Sequence, residues 1–409
     1  MKRSLFKRLD NGLELIIKPT DYLHSVGIST AVGYGPLFET PDVSGSSNLI
    51  GEMLFKGTEK RSYADVRKII RQNALEGQRQ GYPEITAYTL QASNGTLDTA
   101  LELLSDCLSN VYFDKNTLEK QKDELVQRNT AVLDDHQSFL YKSMWATLFS
   151  EHASRLDMFG NAETIKNVSA DTLASIKGKG YTMPNTVLVI TGNVEPSNAE
   201  DTVVKHFAGL PRTRPDIAVP ELDVSHKNYK KEIRRRGLSQ SWVMMAFKTP
   251  GYTPSNKMYM PTTVVTTSLL SRRLYKEVRE KRGLVYGIRS NGLIYRNFGT
   301  VIIEFSSRPE DRERVNDVIQ LELNKLSNGE LSGEEIKNAV SKELTRMELL
   351  LDNPHKTAEN GAVNKSLYGN QKVLAKIRKV GPDEIVQFVN THMVPENTVT
   401  IDLEPEDNV

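Results

Sequence analysis

Two segments of this chain carry the same local programme. SADTLASIKGKGYTMPNTVLVITGNVEPSN, from Ser169, and GPDEIVQFVNTHMVPENTVTIDLEPEDN, from Gly381, each read as a capped helix, a proline turn (Pro184, Pro395) and a β-branched strand. Asp171 and Asp383 stand 212 positions apart, and so do Asn185 and Asn397, so the copies are in register. A looser echo precedes each copy: the helical stretch from Asp98 through residues 114–135 resembles the one from Asp311 through residues 332–351. A chain built this way folds as two similar halves. Its 409 residues and 38% hydrophobic content suffice to bury two cores.

The expected division is residues 1–212, a linker at 213–236, and residues 237–409. The surrounding segment, residues 210–237, has three prolines followed by the basic run KNYKKEIRRRG, with no sustained periodicity. Hairpins and long helices segregate rather than alternate, as in GLVYGIRSNGLIY followed by GTVIIEFSS. The expected class is therefore α+β: two homologous α/β sandwich domains, each a largely antiparallel sheet with helices covering one face.

Charge and cysteine content narrow the function classes. Lys and Arg number 53 against 52 Asp and Glu, so no global field favours nucleic acid or an anionic membrane. The single Cys107 excludes an internal disulfide framework and suits helix-face packing. The basic N-terminus lacks an apolar run of signal-peptide length, and no run approaches a membrane span, so a cytoplasmic location is expected.

The stretch GSSNLIGEMLFKGT, residues 45–58, reads like a zinc-binding helix without zinc ligands. It resembles the G-x-A-H-F-L-E-H-M-L-F-K-G-T segment of the pitrilysin/insulinase metallopeptidases, in their processing-peptidase-like branch. There, two histidines on one helix face hold zinc and a glutamate between them serves as general base. With Met53–Thr58 fixing the register, the resemblance puts Asn48 at the first ligand, Gly51 at the base and Glu52 at the second ligand. The third ligand, a glutamate on a later helix, falls at Arg128 in LEKQKDELVQRN, where Gln121 also replaces a glutamate. All four positions are changed, so no metal and no cofactor is expected. An ion pair between Glu52 and Arg128, with Asn48 alongside, is the expected replacement.

SLLSRRLYKEVREKRGLVYGI resembles a hallmark of the same family's second domain, whose active members supply an Arg and a Tyr to the transition state. Both are present, as Arg279 and Tyr286. From the residues alone they also read as a charged helix end and a packed strand, with Arg279 paired to a glutamate. EITAYTLQAS resembles the family's substrate-binding edge strand, which places Thr86, Ala87 and Tyr88 in peptide binding; a buried inner strand reads equally well.

Together these imply a noncatalytic subunit of a heterodimeric zinc metallopeptidase, without activity of its own. Its expected partners are a homologous H-x-x-E-H subunit and a peptide, not nucleic acid or membrane, with a homodimer open when the chain is alone. The alternative is a peptide-binding or structural pseudoenzyme with no hydrolytic role.

Overall fold

A computed structural model describes residues 3–150, 158–207, 212–217, 223–253, 255–369 and 376–406. The chain forms two compact units, each assembled from non-contiguous segments: Met1–Thr130, Leu156–Pro220 and Glu348–Gln371 in one, and Ala131–Arg155, Glu221–Met347 and Lys372–Val409 in the other.

The first unit is built on six strands: β1 (Leu5–Arg8), β2 (Glu14–Pro19), β3 (Ser25–Val32), β4 (Glu76–Gly81), β5 (Thr86–Ser93) and β6 (Thr186–Gly192), in the order β1-β2-β6-β3-β5-β4. Only β2 and β6 run parallel. Alternation along β3 sends Val26, Ile28 and Val32 to one face. They pack there with α1 (Ser46–Met53), α2 (Tyr63–Gln72), α3 (Leu97–Asn110), α4 (Lys115–Val132), α6 (Ala162–Asn167), α7 (Ala170–Gly180) and α8 (Pro196–Phe207). Local chemistry starts these helices. Ser62 and Asp65 form a reciprocal capping box on α2, and the Ser169 hydroxyl accepts from Thr172 N on α7. Cys107 is fully buried in this core.

The second unit has β7 (Tyr229–Arg235), β8 (Ser241–Pro250), β9 (Val285–Ile294), β10 (Phe298–Ser307) and β11 (Thr398–Pro405), ordered β7-β11-β8-β10-β9, with only β7 and β11 parallel. β7 falls inside residues 213–236: the basic run is a strand because β11 offers it a partner. The core face is covered by α9 (Tyr259–Leu274), α10 (Arg312–Ser327), α11 (Gly333–Leu350) and α13 (Pro382–His392). Dropping β1 makes the two strand orders identical, with β6 matching β11 and β4 matching β9. The repeated asparagines do the same work in each unit. Asn185 Nδ2 donates to Gly180 O and Gly33 O at 2.8 and 3.0 Å; Asn397 Nδ2 donates to His392 O and Lys248 O, both at 2.7 Å.

The expectation of helices on one face only is corrected by the structure, because each sheet is covered on its other face by a helix from the opposite half of the sequence. α5 (His136–Leu148) lies on β8 and β11, and α12 (Pro354–Tyr368) lies on β3, β5 and β6. The face under α12 carries Gly27, Ser29, Ala31, Ala87 and Thr89, small enough for a helix to approach closely. At its start the Thr191 hydroxyl donates to Pro354 O at 2.6 Å. A Cβ on Gly27 would stand only 2.2 Å from Pro354 O. Gly27→Ala should therefore lose about 1–3 kcal/mol in urea unfolding, whereas Gly287→Ala, where a Cβ meets nothing within 4 Å, should stay within about 0.5 kcal/mol of the parent.

Candidate functional site

α1 begins behind Gly45, whose φ of 95° suits a residue without a side chain. The Glu39 carboxylate accepts from Gly45 N and Ser47 N at 2.7 and 2.5 Å, satisfying donors that a helix start leaves open. The helix then presents Asn48, Gly51 and Glu52 together. Arg128 on α4 donates Nη2 to Glu52 Oε1 at 2.9 Å, so the ion pair expected from sequence is formed. Gln121 is not part of it; it is buried and donates to Glu124 at 2.8 Å.

A second arginine dominates the cluster. Arg79, on β4, donates Nη2 to Glu52 Oε1 at 2.8 Å and Nη1 to Asn48 Oδ1 at 3.1 Å. Asn48 completes its bonding by donating Nδ2 to Met158 O at 2.8 Å. The stem of Arg79 lies over residue 51, where a Cβ would come within 2.4 Å of Arg79 Cδ. The absence of a side chain at Gly51 thus makes the space the arginine occupies. The sequence reading missed Arg79 because GQRQG has no strand alternation; the glycine at 51 was the available signal.

Burial pushes the Glu52 carboxyl up, but the charges and hydrogen bonds of Arg79 and Arg128 outweigh it and hold the group below its ordinary value. Two guanidiniums, which have no lone pair to offer a metal, share the one carboxylate. These residues do not fit a divalent cation. Among the described residues no three His, Cys, Asp or Glu side chains are grouped to hold one. A cavity of about 320 Å³ opens beside the cluster, between α1, α2 and β4, walled by Phe55, Tyr63, Ile70 and Leu90 with Arg79 and Glu52 at one side.

The placement of Thr86, Ala87 and Tyr88 at a sheet edge is corrected. They lie on β5, paired with β3 on one side and β4 on the other, and all three are buried. Thr86 Oγ1 donates to Tyr34 O, and the Tyr88 hydroxyl bonds that of Tyr181 at 2.7 Å. Their backbone groups are already committed to neighbouring strands. The edge is β4, polar and largely exposed.

In the second unit Arg279 sits on a π-helical turn, Tyr275–Glu280, that follows α9. Its guanidinium lies 4.9 Å from the ring centres of both Tyr275 and Tyr286, and Nη1 donates to the Tyr275 hydroxyl at 2.6 Å. Neither bland role for the pair is realised. Tyr286 is 82% exposed rather than packed. Glu277 is taken by Lys281 and Arg282, and Arg279 has no ion pair among the described residues.

Comparison with known proteins agrees with this architecture. The family description "Insulinase (Peptidase family M16)" matches residues 15–160, and "Peptidase M16 inactive domain" matches residues 167–343. The chain belongs to the M16 peptidase family. A relative in Bacillus subtilis, the uncharacterized zinc protease YmxG, is 23% identical over 385 residues, covering 93% of this chain and 90% of its own length. The crystal structure of a protease from Helicobacter pylori has the same fold, with a TM-score of 0.88 at 17% identity over 98% of this chain and 99% of its own. That of a peptidase M16 inactive domain from Pseudomonas fluorescens gives 0.87 at 17% identity, covering 99% of both chains.

Three measurements check the Glu52 cluster. Arg79→Ala and Glu52→Ala should each destabilise by about 1–3 kcal/mol and the double change by less than their sum; Arg128→Ala, at a half-exposed side chain, should cost about 0–1 kcal/mol. Because folding depresses the Glu52 pKa, its pairing stabilises at neutral pH, and that contribution fades as pH falls through the ordinary carboxylate range and past the folded value. Urea midpoints of Glu52→Gln should lack that acid-side slope. Introducing zinc-binding residues at the four positions (Asn48→His, Gly51→Glu, Glu52→His, Arg128→Glu) should leave dialysed protein without stoichiometric zinc until Arg79→Ala is added.

Proposed function

We propose that this chain is the noncatalytic subunit of a two-component peptidase. A homologous partner with H-x-x-E-H supplies zinc, water and general base, and this chain contributes Arg279 and Tyr286 to the transition state. Attack on a peptide carbonyl puts negative charge on its oxygen, and a guanidinium or phenol held at that oxygen stabilises the transition state more than the ground state. The observation that carries this reading is the exposed Tyr286 stacked on an Arg279 that has no ion pair among the described residues. A structural pair would be packed or neutralised. Peptide binding passes from β5 to β4, whose outer edge is suited to strand addition and lies beside the apolar cavity next to Glu52.

Reconstitution tests it. The purified chain alone should cleave no peptide, and adding a zinc-bearing homologue from the same organism should create chelator-sensitive cleavage that neither has alone. In the complex, Tyr286→Phe and Arg279→Ala should each lower kcat by about 10²–10³-fold with complex formation unchanged, and Arg279→Lys should also be impaired. A complex that forms without hydrolysing any peptide would favour the structural pseudoenzyme instead.

A further inference from the structure

The second unit contains a cavity of about 620 Å³, bounded by α9, the β9 edge, α11 and Tyr141 of α5. Four cationic side chains line it, Arg272, Arg289, Lys342 and Arg346, against a single carboxylate, Glu343. Lys342 and Arg346 are four apart on one helix, an arrangement of like charges that disfavours the helix unless something negative lies between or above them. Internal compensation is incomplete. Arg289 is ion-paired with Glu304, and Arg346 stands 3.7 Å from Glu343. Arg272 has no ion pair among the described residues.

The same wall argues against an added peptide strand. The Ser271 hydroxyl accepts from Ser290 N at 2.6 Å and donates to Ser290 O at 3.0 Å, so both outward backbone groups of β9 are satisfied at that point by α9. Recognition in this cavity falls to side chains. Arginine forks match the paired oxygens of phosphate and carboxylate groups, and the volume is that of a small-molecule site rather than a lone-ion site.

We infer that this cavity binds a small organic or polyphosphate oxyanion, gripped by Arg272, Lys342 and Arg346. The site is separate from the Glu52 cluster. Although Tyr275 touches both the cavity and Arg279, the proposal needs no peptidase partner and stands or falls apart from the function proposed above.

Isothermal titration of the full chain with pyrophosphate, and separately with tricarballylate, tests it. Saturable one-site binding that weakens with added salt is expected for at least one probe, and which one identifies the oxyanion as phosphate or carboxylate. Arg272→Gln combined with Lys342→Gln should weaken binding by about tenfold or more, the loss expected from charge-assisted hydrogen bonds. Lys276→Gln, exposed on the next turn and off the cavity wall, should not change it. If the double variant loses the parent melting transition, Arg346→Gln, at a side chain 76% exposed, makes the same test with an expected loss of about threefold. No saturable binding of either probe, or binding unaffected by these changes, overturns the proposal.

Discussion

The hydrogen bonds of Asn185 and Asn397 fix the frame on which everything else is mounted. Each amide ties the last carbonyl region of a helix to a neighbouring strand, and so sets where the following strand, β6 or β11, enters the middle of its sheet. Those central strands decide which strands are left at the edges. β4, carrying Arg79, and β9, carrying Tyr286, are the equivalent outer strands of the two sheets. Both sets of functional candidates therefore occupy repeat-related places, and they differ by the charge each unit places there.

In the first unit two arginines converge on one carboxylate. A part-buried carboxylate would be costly to hold alone. Glu52 is instead held by Arg79 and Arg128, and Asn48 is drawn into the same network. The geometry is self-consistent at the smallest scale, because the missing side chain at Gly51 is the room that Arg79 uses. In the second unit the balance is reversed. Arg279 is held by aromatic rings rather than by a carboxylate, which positions its charge without neutralising it.

The repeat, the α+β class and the resemblance of residues 45–58 to a zinc-binding helix without its ligands were legible in the sequence because each is a local pattern: capped helix, proline turn, β-branched strand, and a fixed register from Met53 to Thr58. Even the Glu52–Arg128 contact followed from complementary charge once the family resemblance set the two residues opposite each other. What was not legible involves partners distant in sequence. EGQRQG and YKKEIRR lack strand alternation, and they become β4 and β7 because β5 and β11 present open edges to them. The apolar run TAYTLQA advertised a strand correctly but not its place within the sheet, since edge and centre differ by neighbours rather than composition.

The sequence by itself determined two similar α+β halves and a helix resembling a zinc-binding helix without its ligands, since these depend on residue identity at short range. Only the tertiary structure decided that α5 and α12 cover sheets of the opposite halves, that β4 rather than β5 is the exposed edge, and that Arg79 completes the cluster at Glu52. The physical reason is common to all three. Each depends on which surfaces are small enough, or charged enough, to accept a distant segment, and such complementarity exists only once the chain has brought the two together.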